Sequence, residues 1–512
     1  MEKCVACQVT FPEWDNFCTE NSGFVRLFFI SVLFICAVSV SAQRSFDDFL
    51  EGANAKFKNL KEDHEKKFKS FRDEQNARFV EYLRQDWIEL EGELSQPKPK
   101  DEEITPKPPV VISEEEKSKP IEQNLIPIAT IVKPIATSNP PMPIEEPIEL
   151  EYDVQEEKLT FTFFGTDLFF RCNRSIMPVL SSNDENGVAD FWAELSQVAN
   201  NTLKDCIVNR QNHNFCDWAY YQMTKKLSMN IYGDRDENVL LHAFLLNQTG
   251  FKIRLARAKD NNRIYLLIAT EADVYGYPCW NIDGTRCYCL DDKDYHHMSI
   301  SNSAYPQELP LRLTFSDELI FDKDIAEQRI LQSERYEFAK VISSVNKNLI
   351  DFYNEYPTFS IGGNLMTRWR SYAVAPLSDE FKEGIYVDLK NFLEGKSKLE
   401  AVEILLNFVQ TAFEYEYDNV VWGEDRAFFP EETLFYPYAD CEDRSILFSR
   451  LVKDIVGLRV ALVYYPGHLA AAVNFDTDVA GDFVMVDGVR FVICDPTFIG
   501  AGVGRSMSRL DK

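Results

Sequence analysis

Histidine is nearly absent from this chain, with six in 512 residues. Imidazole-dependent chemistry therefore has few possible seats. Basic side chains are also in deficit, 54 Lys and Arg against 82 Asp and Glu, for a formal charge of -28. Phosphate recognition needs a basic surface, so this balance excludes nucleic acid as the main partner and argues against adhesion to anionic lipid. Long apolar runs are missing too, apart from one near the start. What is present suffices for folding. At 45% hydrophobic and 13% aromatic, the chain is not disordered as a whole. Its length implies two or more domains.

The one apolar run, residues 25–42 (VRLFFISVLFICAVSVSA), ends in small residues, with Val40 and Ala42 placed as a signal-cleavage site requires. It predicts a secretory signal cut before Gln43. Its length is marginal for a membrane span, so an uncleaved anchor is the alternative, and only then does the chain meet a membrane. The stretch ahead of it holds Cys4, Cys7 and Cys18, three thiols without the fourth ligand that a zinc site needs. We expect translation to begin near Val25. Residues 1–42 are read as a leader, and the mature chain is expected in a periplasm or outside the cell.

Residues 43–95 are read as a long helix. In 44–92 there is no proline, and apolar residues recur every eleven positions: Phe46, Phe57, Phe68, Phe79 and Leu90. A second row runs Phe49, Leu60, Phe71, Tyr82. That period, about 3.67 residues per turn, keeps one stripe straight along a helix. The stripe is narrow, so the helix should self-associate, lie on a partner, or pack on its own protein. Residues 96–150 hold 12 of the 23 prolines and read as an extended acidic linker holding the helix away from a globular body. Within the linker, IPIATIVKPIA has the composition of an edge strand but is interrupted by proline.

The body contains an internal repeat. Asp283-Gly284-Thr285-Arg286 through Asp291 and Asp487-Gly488-Val489-Arg490 through Asp495 share D-G-x-R-x4-D at an offset of 204. Upstream, residues 232–256 align with 438–463: an Asp-bearing turn, an amphipathic run, a stopping glycine (Gly250, Gly457), then a strand. Earlier still, Gln222 corresponds to Gln410. Each unit predicts helix, turn, helix, strand, strand, Asp-Gly hairpin, strand. The fold class is α+β, two units each packing helix on antiparallel sheet. Residues 151–297 form a degenerate copy and 378–512 the competent one. Residues 298–377 are expected to be β-rich connecting structure around one long helix, IAEQRILQSERYEFAKVISSVNKNLIDFYNEY.

The two copies differ in chemistry. The second has Cys441 directly after Asp440, a good N-cap, so its sulfur faces open backbone N–H groups that favour thiolate. His468 follows at the head of a strand and Asp495 at the end of the next long one. In that order, Cys, His and Asp supply nucleophile, base and orienting acid. The first copy has Arg235 at the Cys position and Asn261 or Asn262 at the His position, keeping only Asp291. A competing reading pairs Cys441 with Cys494 in a disulfide. The remaining cysteines of the mature chain cluster in the first copy and could pair among themselves.

DCEDRS, PGHLAAAV and CDPTF resemble the Cys, His and Asp boxes of the transglutaminase-like superfamily. These are papain-like thiol enzymes in which the nucleophile opens a helix and His and Asp lie on neighbouring strands. The resemblance covers about residues 378–500, with 188–295 as a degenerate copy, and is greatest to large secreted bacterial members. It implies Cys441 as nucleophile, His468 as base, Asp495 as orienting acid, a peptide or protein substrate, a thioester intermediate, and neither cofactor nor metal. The Cys–His gap is shorter than in animal transglutaminases and no calcium signature stands out, which sets cross-linking and calcium dependence apart from hydrolysis. Relative to the first copy, about 18 extra residues precede Cys441. This insert, DNVVWGEDRAFFPEETLFYPY, is expected to wall a substrate cleft, with Trp422 and Tyr438 as binding residues, and to be dispensable for stability. A non-catalytic envelope scaffold or peptide-binding module, and a cross-linking transglutaminase, are the alternatives.

Overall fold

Asp283 and Gly284 take up φ of 52° and 73°, and Asp487 and Gly488 φ of 51° and 75°. Two consecutive left-handed residues make the tight turn whose twist suits a β-hairpin. The first turn joins strands Cys279–Ile282 and Thr285–Tyr288, the second Phe483–Val486 and Val489–Cys494. Thr285 faces Ile282 as Val489 faces Val486, so the two hairpins share one register.

A computed structural model describes residues 46–98, 124–125, 128–135, 139–143, 146–152, 155–301 and 307–507. The signal sequence, its cleavage site and Cys4, Cys7, Cys18 and Cys36 lie outside these residues, as does most of the proline-rich stretch. Among the described residues no helix is long and apolar enough to cross a membrane.

Each hairpin belongs to a six-stranded sheet. In the first the inner order is Ile253–Ala258, Ile264–Ala269, Thr285–Tyr288, Cys279–Ile282; in the second it is Arg459–Tyr465, His468–Asn474, Val489–Cys494, Phe483–Val486. All these neighbours are antiparallel. Two helices precede each set: Asp217–Tyr232 and Asp236–Gln248, then Lys398–Thr411 and Cys441–Leu451. The chain is thus a mixed α+β fold in which one topology occurs twice. The second helix of each pair supplies fully buried side chains, Leu240, Leu241 and Leu245 in one and Ile446, Leu447 and Phe448 in the other. One continuous apolar core runs through both halves, from Phe79 to Cys494.

The sheet edges correct the linker reading. Ile88–Leu90 pairs with Met298–Ile300 at the edge of the first sheet. Ile128–Ile131 pairs with Arg459–Tyr465 at the edge of the second, and Pro134 falls only after the last ladder bond, Val132 N–H to the Val460 carbonyl. Proline ends this edge strand without interrupting it. The long helix spans Phe46–Leu83, shorter than expected, because residues beyond Trp87 gain more from sheet pairing than from another helical turn. Nor is its second half held apart: Phe68, Phe79, Val80 and Leu83 are buried, and the Phe79 ring lies 4.7 Å from Trp192. Earlier along the helix, Phe57 and Leu60 of the same stripe are each 60% exposed.

The connecting region also differs from expectation. Most of the segment read as one helix is a hairpin, Ile330–Gln332 with Lys340–Ile342, and only Lys347–Asn354 is helical. Asn346 caps that helix by accepting from the Asn348 amide. The turn of the hairpin is pinned to the helix Lys398–Thr411 by Asn407, whose carbonyl oxygen accepts from the Ser333 hydroxyl at 2.6 Å. Tertiary hydrogen bonds override an amphipathic pattern there.

Because Phe79 is core rather than spacer, Phe79→Ala should cost about 3–5 kcal/mol in chemical denaturation. A loss under about 1 kcal/mol would restore the detached-helix reading.

Candidate active site

The helix Cys441–Leu451 begins with a double cap. The Asp440 side chain accepts from the Glu442 amide at 3.2 Å, and Asp443 accepts from the Asp440 amide at 3.3 Å. Cys441 is its first residue, as predicted. The strand His468–Asn474 passes this first turn: the Ser445 hydroxyl donates to the Leu469 carbonyl at 2.9 Å, and the Leu469 amide points to the Cys441 sulfur. Gly467, at φ 78°, closes the two-residue turn that puts His468 at the strand's head, opposite Tyr465.

His468 and Asp495 meet. Nε2 of the imidazole lies 2.9 Å from the Asp495 carboxylate, and the Thr497 hydroxyl and amide also donate to that carboxylate, at 2.8 and 3.0 Å. Burial works to raise the Asp495 carboxyl, but His468 and these donors outweigh it and hold it below the ordinary range. Nδ1 of His468 is buried without a protein partner. The imidazole therefore has one nitrogen fixed and the other, an acceptor in that tautomer, unused. Gln410 fastens the loop after Asp495, its amide nitrogen donating to the carbonyls of Asp495, Phe498 and Ala501 at 3.0, 2.9 and 3.1 Å. Gln222 makes no such clip; it holds Glu355 instead.

Cys441 departs from expectation in its electrostatics. Its sulfur lies 3.2 Å from the Glu442 carboxylate and donates to it. Burial, then Glu442 and Asp440, push the thiol well above its usual range, although the Leu469 amide pulls the other way. The helix terminus was expected to favour thiolate; complete burial beside two carboxylates wins instead. Cys441, His468 and Asp495 are 0%, 0% and 1% exposed. All eight described cysteines are free and buried, so Cys441 and Cys494 form no disulfide, and neither do the thiols of the first half.

The first half shows what the same positions do without this chemistry. Strand pairing sets Cys287 against Ala269 and Val492 against Val473. Ala269 then corresponds to Asn474, an offset of 205 that takes His468 to Arg263, while Asp236 and Cys441 correspond as the first residues of their helices. These, rather than Asn261 or Asn262 and Arg235, are the counterparts. They touch: Arg263 Nε lies 3.3 Å from Asp236, and the Ile264 amide donates to Asp236 as the Leu469 amide does to Cys441. Four turn residues separate Ala258 from Arg263 where two separate Tyr465 from His468, and alignment by identity misplaces the strand head across that difference. Asp291 turns away to bind the Tyr221 hydroxyl at 2.8 Å and Lys225 at 2.7 Å.

The insert is neither a bare wall nor dispensable. Phe429 stacks on Tyr353 at 4.1 Å and packs on Tyr372 at 4.1 Å, and Glu431, fully buried, accepts from the Ser378 amide at 2.7 Å. Deleting it would remove core. Trp422 packs with Tyr436 and under the Arg426 guanidinium, while Tyr438 is 37% exposed at the insert's end. Tyr415, which precedes the insert, lies among Cys441, Asp440 and Glu442 and was missed; an isolated Tyr carries no pattern to find it by.

Five buried carboxylates crowd this turn. Ligand oxygens of Asp418, Asp440 and Asp443 lie within 4.8 Å of one another, as do those of Asp418, Asp425 and Glu442. Such a donor set suits a hard divalent cation if every member is ionised. Arg368, 2% exposed, already sits on Asp425 at 2.8 Å, and protons can neutralise the rest. Burial, then Glu442 and Asp443, raise Asp418 to about 10. Burial raises Glu432 to about 7, against the pull of Arg426.

No family model, curated protein or solved structure matches the chain.

An Asp is half-titrated near pH 4 when unfolded. The native chain, with Asp418 near 10, holds a proton that the unfolded chain has released across the interval between. Stability should therefore fall as pH rises through that window. Asp418→Asn should flatten the slope and raise stability at pH 8 by about 1 kcal/mol or more, read from denaturant midpoints. A midpoint that climbs with pH, or on adding a divalent cation, would mean that metal and not protons balances these carboxylates.

Proposed function

We propose that the chain is a transglutaminase-like cysteine hydrolase of peptide or amide bonds, secreted or periplasmic, built from one competent and one degenerate papain-like unit. The observation that carries it is the buried His468–Asp495 pair at the foot of the helix that Cys441 opens, with His468 Nδ1 left over. In this reading a rotation of the Cys441 side chain exchanges Glu442 for that nitrogen. His468 takes the thiol proton and the sulfur attacks the carbonyl carbon. The C–N bond breaks as His468 returns the proton to the departing amine. Water, deprotonated by His468, then attacks the thioester, releasing the acid and restoring the thiol. Asp495 holds Nε2–H and so keeps Nδ1 as the acceptor. Backbone amides at the helix start are suited to the oxyanion. The Asp236–Arg263 contact supports this reading, since it puts the two corresponding positions within reach of each other.

One observation favours a second reading, a non-catalytic peptide-binding module. The sulfur is sealed and its proton is held tightly by Glu442 and Asp440.

Iodoacetamide at about pH 6.5, well below the ordinary thiol pKa near 8.5, separates the two. The enzyme reading expects Cys441 to be the one cysteine alkylated in the native chain, mapped by mass spectrometry. His468→Ala should slow this at least about tenfold, and Asp495→Asn less so. Labelling of Cys441 no faster than of Cys494, or at a rate indifferent to His468, leaves only the binding module.

A further inference from the structure

The largest described cavity, about 970 Å³, is a groove on the degenerate half. It is at the upper end of ligand-site volumes, roughly 300–1,000 Å³. Its floor is the Tyr221–Lys225 pair that Asp291 has captured. Trp218 and Tyr221 stack there at 5.4 Å with planes 8° apart. Lys98, Asn354, Tyr356 and Thr358 line both this groove and a smaller cleft of about 70 Å³. That cleft ends at Arg368, Asp425 and Glu432. Asp425 has an oxygen within 4.8 Å of a Glu442 oxygen, and Glu442 holds the Cys441 thiol. The two cavities therefore adjoin, and the smaller one closes on the carboxylates beside Cys441.

Charge in the groove runs against the rest of the chain. Its acids are satisfied by their own walls: Asp351 pairs with Lys347 at 2.6 Å and Glu355 accepts from Gln222 at 2.9 Å. Lys226 and Lys293 are exposed and lie over the rings of Phe161 and Tyr277, 5.9 and 5.7 Å from their centroids. Gln222 presents a carbonyl oxygen that is buried and without a partner, an acceptor of the kind a peptide N–H satisfies.

We infer that this groove is an exosite for an extended polypeptide with acidic residues, which meet Lys226 and Lys293 while an apolar or proline side chain lies against Met229 and the Tyr277 ring. The inference deepens the function proposed above by naming the substrate class, a polypeptide long enough to span both halves rather than a small amide. The degenerate copy has exchanged its nucleophile and base for the Asp236–Arg263 ion pair and kept a binding surface. Extended segments gain affinity on aromatic-lined grooves because little chain entropy is left to lose.

The test uses the whole chain carrying Cys441→Ser, so that binding is read without turnover. The probe is a fluorescein-labelled peptide of roughly ten residues composed of Glu, Pro and Phe, with a Gln-for-Glu counterpart. By fluorescence anisotropy the acidic peptide should bind, and Lys226→Glu with Lys293→Glu should weaken it at least about tenfold. Lys340→Glu, on the exposed hairpin, should leave it unchanged. No binding of the acidic peptide, equal binding of the Gln peptide, or equal weakening by Lys340→Glu overturns the exosite. Lysine-dependent binding together with an unreactive Cys441 keeps the exosite and discards the hydrolase.

Discussion

A strand amide aimed at the first side chain of the packed helix is the contact on which both halves are built. The Leu469 amide meets Cys441 and the Ile264 amide meets Asp236. A helix start leaves unpaired N–H groups, and a strand head leaves more. Putting an acceptor between them, sulfur in one half and carboxylate in the other, satisfies both elements at once and fixes how the helix lies on the sheet. The residue before that amide is then held beside the helix tip. It is Arg263 in one half and His468 in the other, so whether the place carries an ion pair or an imidazole is a choice of side chain on an unchanged frame.

That frame explains why the acidic surroundings are tolerable. Asp440 and Asp443 are committed to capping, and Asp418 and Asp443 each accept a backbone amide from the insert, Arg426 at 2.7 Å and Phe428 at 2.8 Å. Asp443 thereby anchors the insert to the helix start, and Asp418, the insert's own first residue, closes its loop. The cost is electrostatic: carboxylates that hold backbone in a dry turn repel one another and must share protons or counter-ions. The thiol inherits that field, which is why the helix terminus alone was a poor guide to its ionisation.

Much of this was legible in the sequence because it is periodic or paired. The Asp-Gly turns, the stop glycines and the order Cys441, His468, Asp495 mark local geometry that any fold must respect, and the His468–Asp495 contact followed from it. What was illegible depended on distant partners. The 325–346 segment has a helical pattern, yet Asn407, far along the chain, pins it as a hairpin. The place of Arg263 depends on a turn two residues longer than its counterpart, which alignment by identity cannot see. Arg368 and Tyr415 belong to no motif; only packing brings them to the sulfur's neighbourhood.

Burial also bears on the eight free thiols. An oxidising compartment usually pairs cysteines. Here burial pushes Cys172, Cys279 and Cys287 up to about 11 and Cys216 and Cys289 up to about 12, and it holds Cys206, Cys441 and Cys494 well above the ordinary thiol range. Thiolate is the form that oxidises and exchanges, so a sealed core protects these sulfurs in whichever compartment the chain occupies. The same sealing restrains Cys441. The proposed thiol chemistry would need one of the eight released without the others, and the packing is uneven enough to permit it. Ala427 to Leu434 of the insert are buried in the core, whereas Val420 is 66% exposed and Gly423, at φ 77°, breaks the short helix Asp418–Val421 just beyond its end. Opening confined to residues 419–424 leaves Phe429 and Glu431 in place and gives up chiefly the packing of Trp422 on Phe428 and Tyr436, so that segment is the least costly part of the insert to displace.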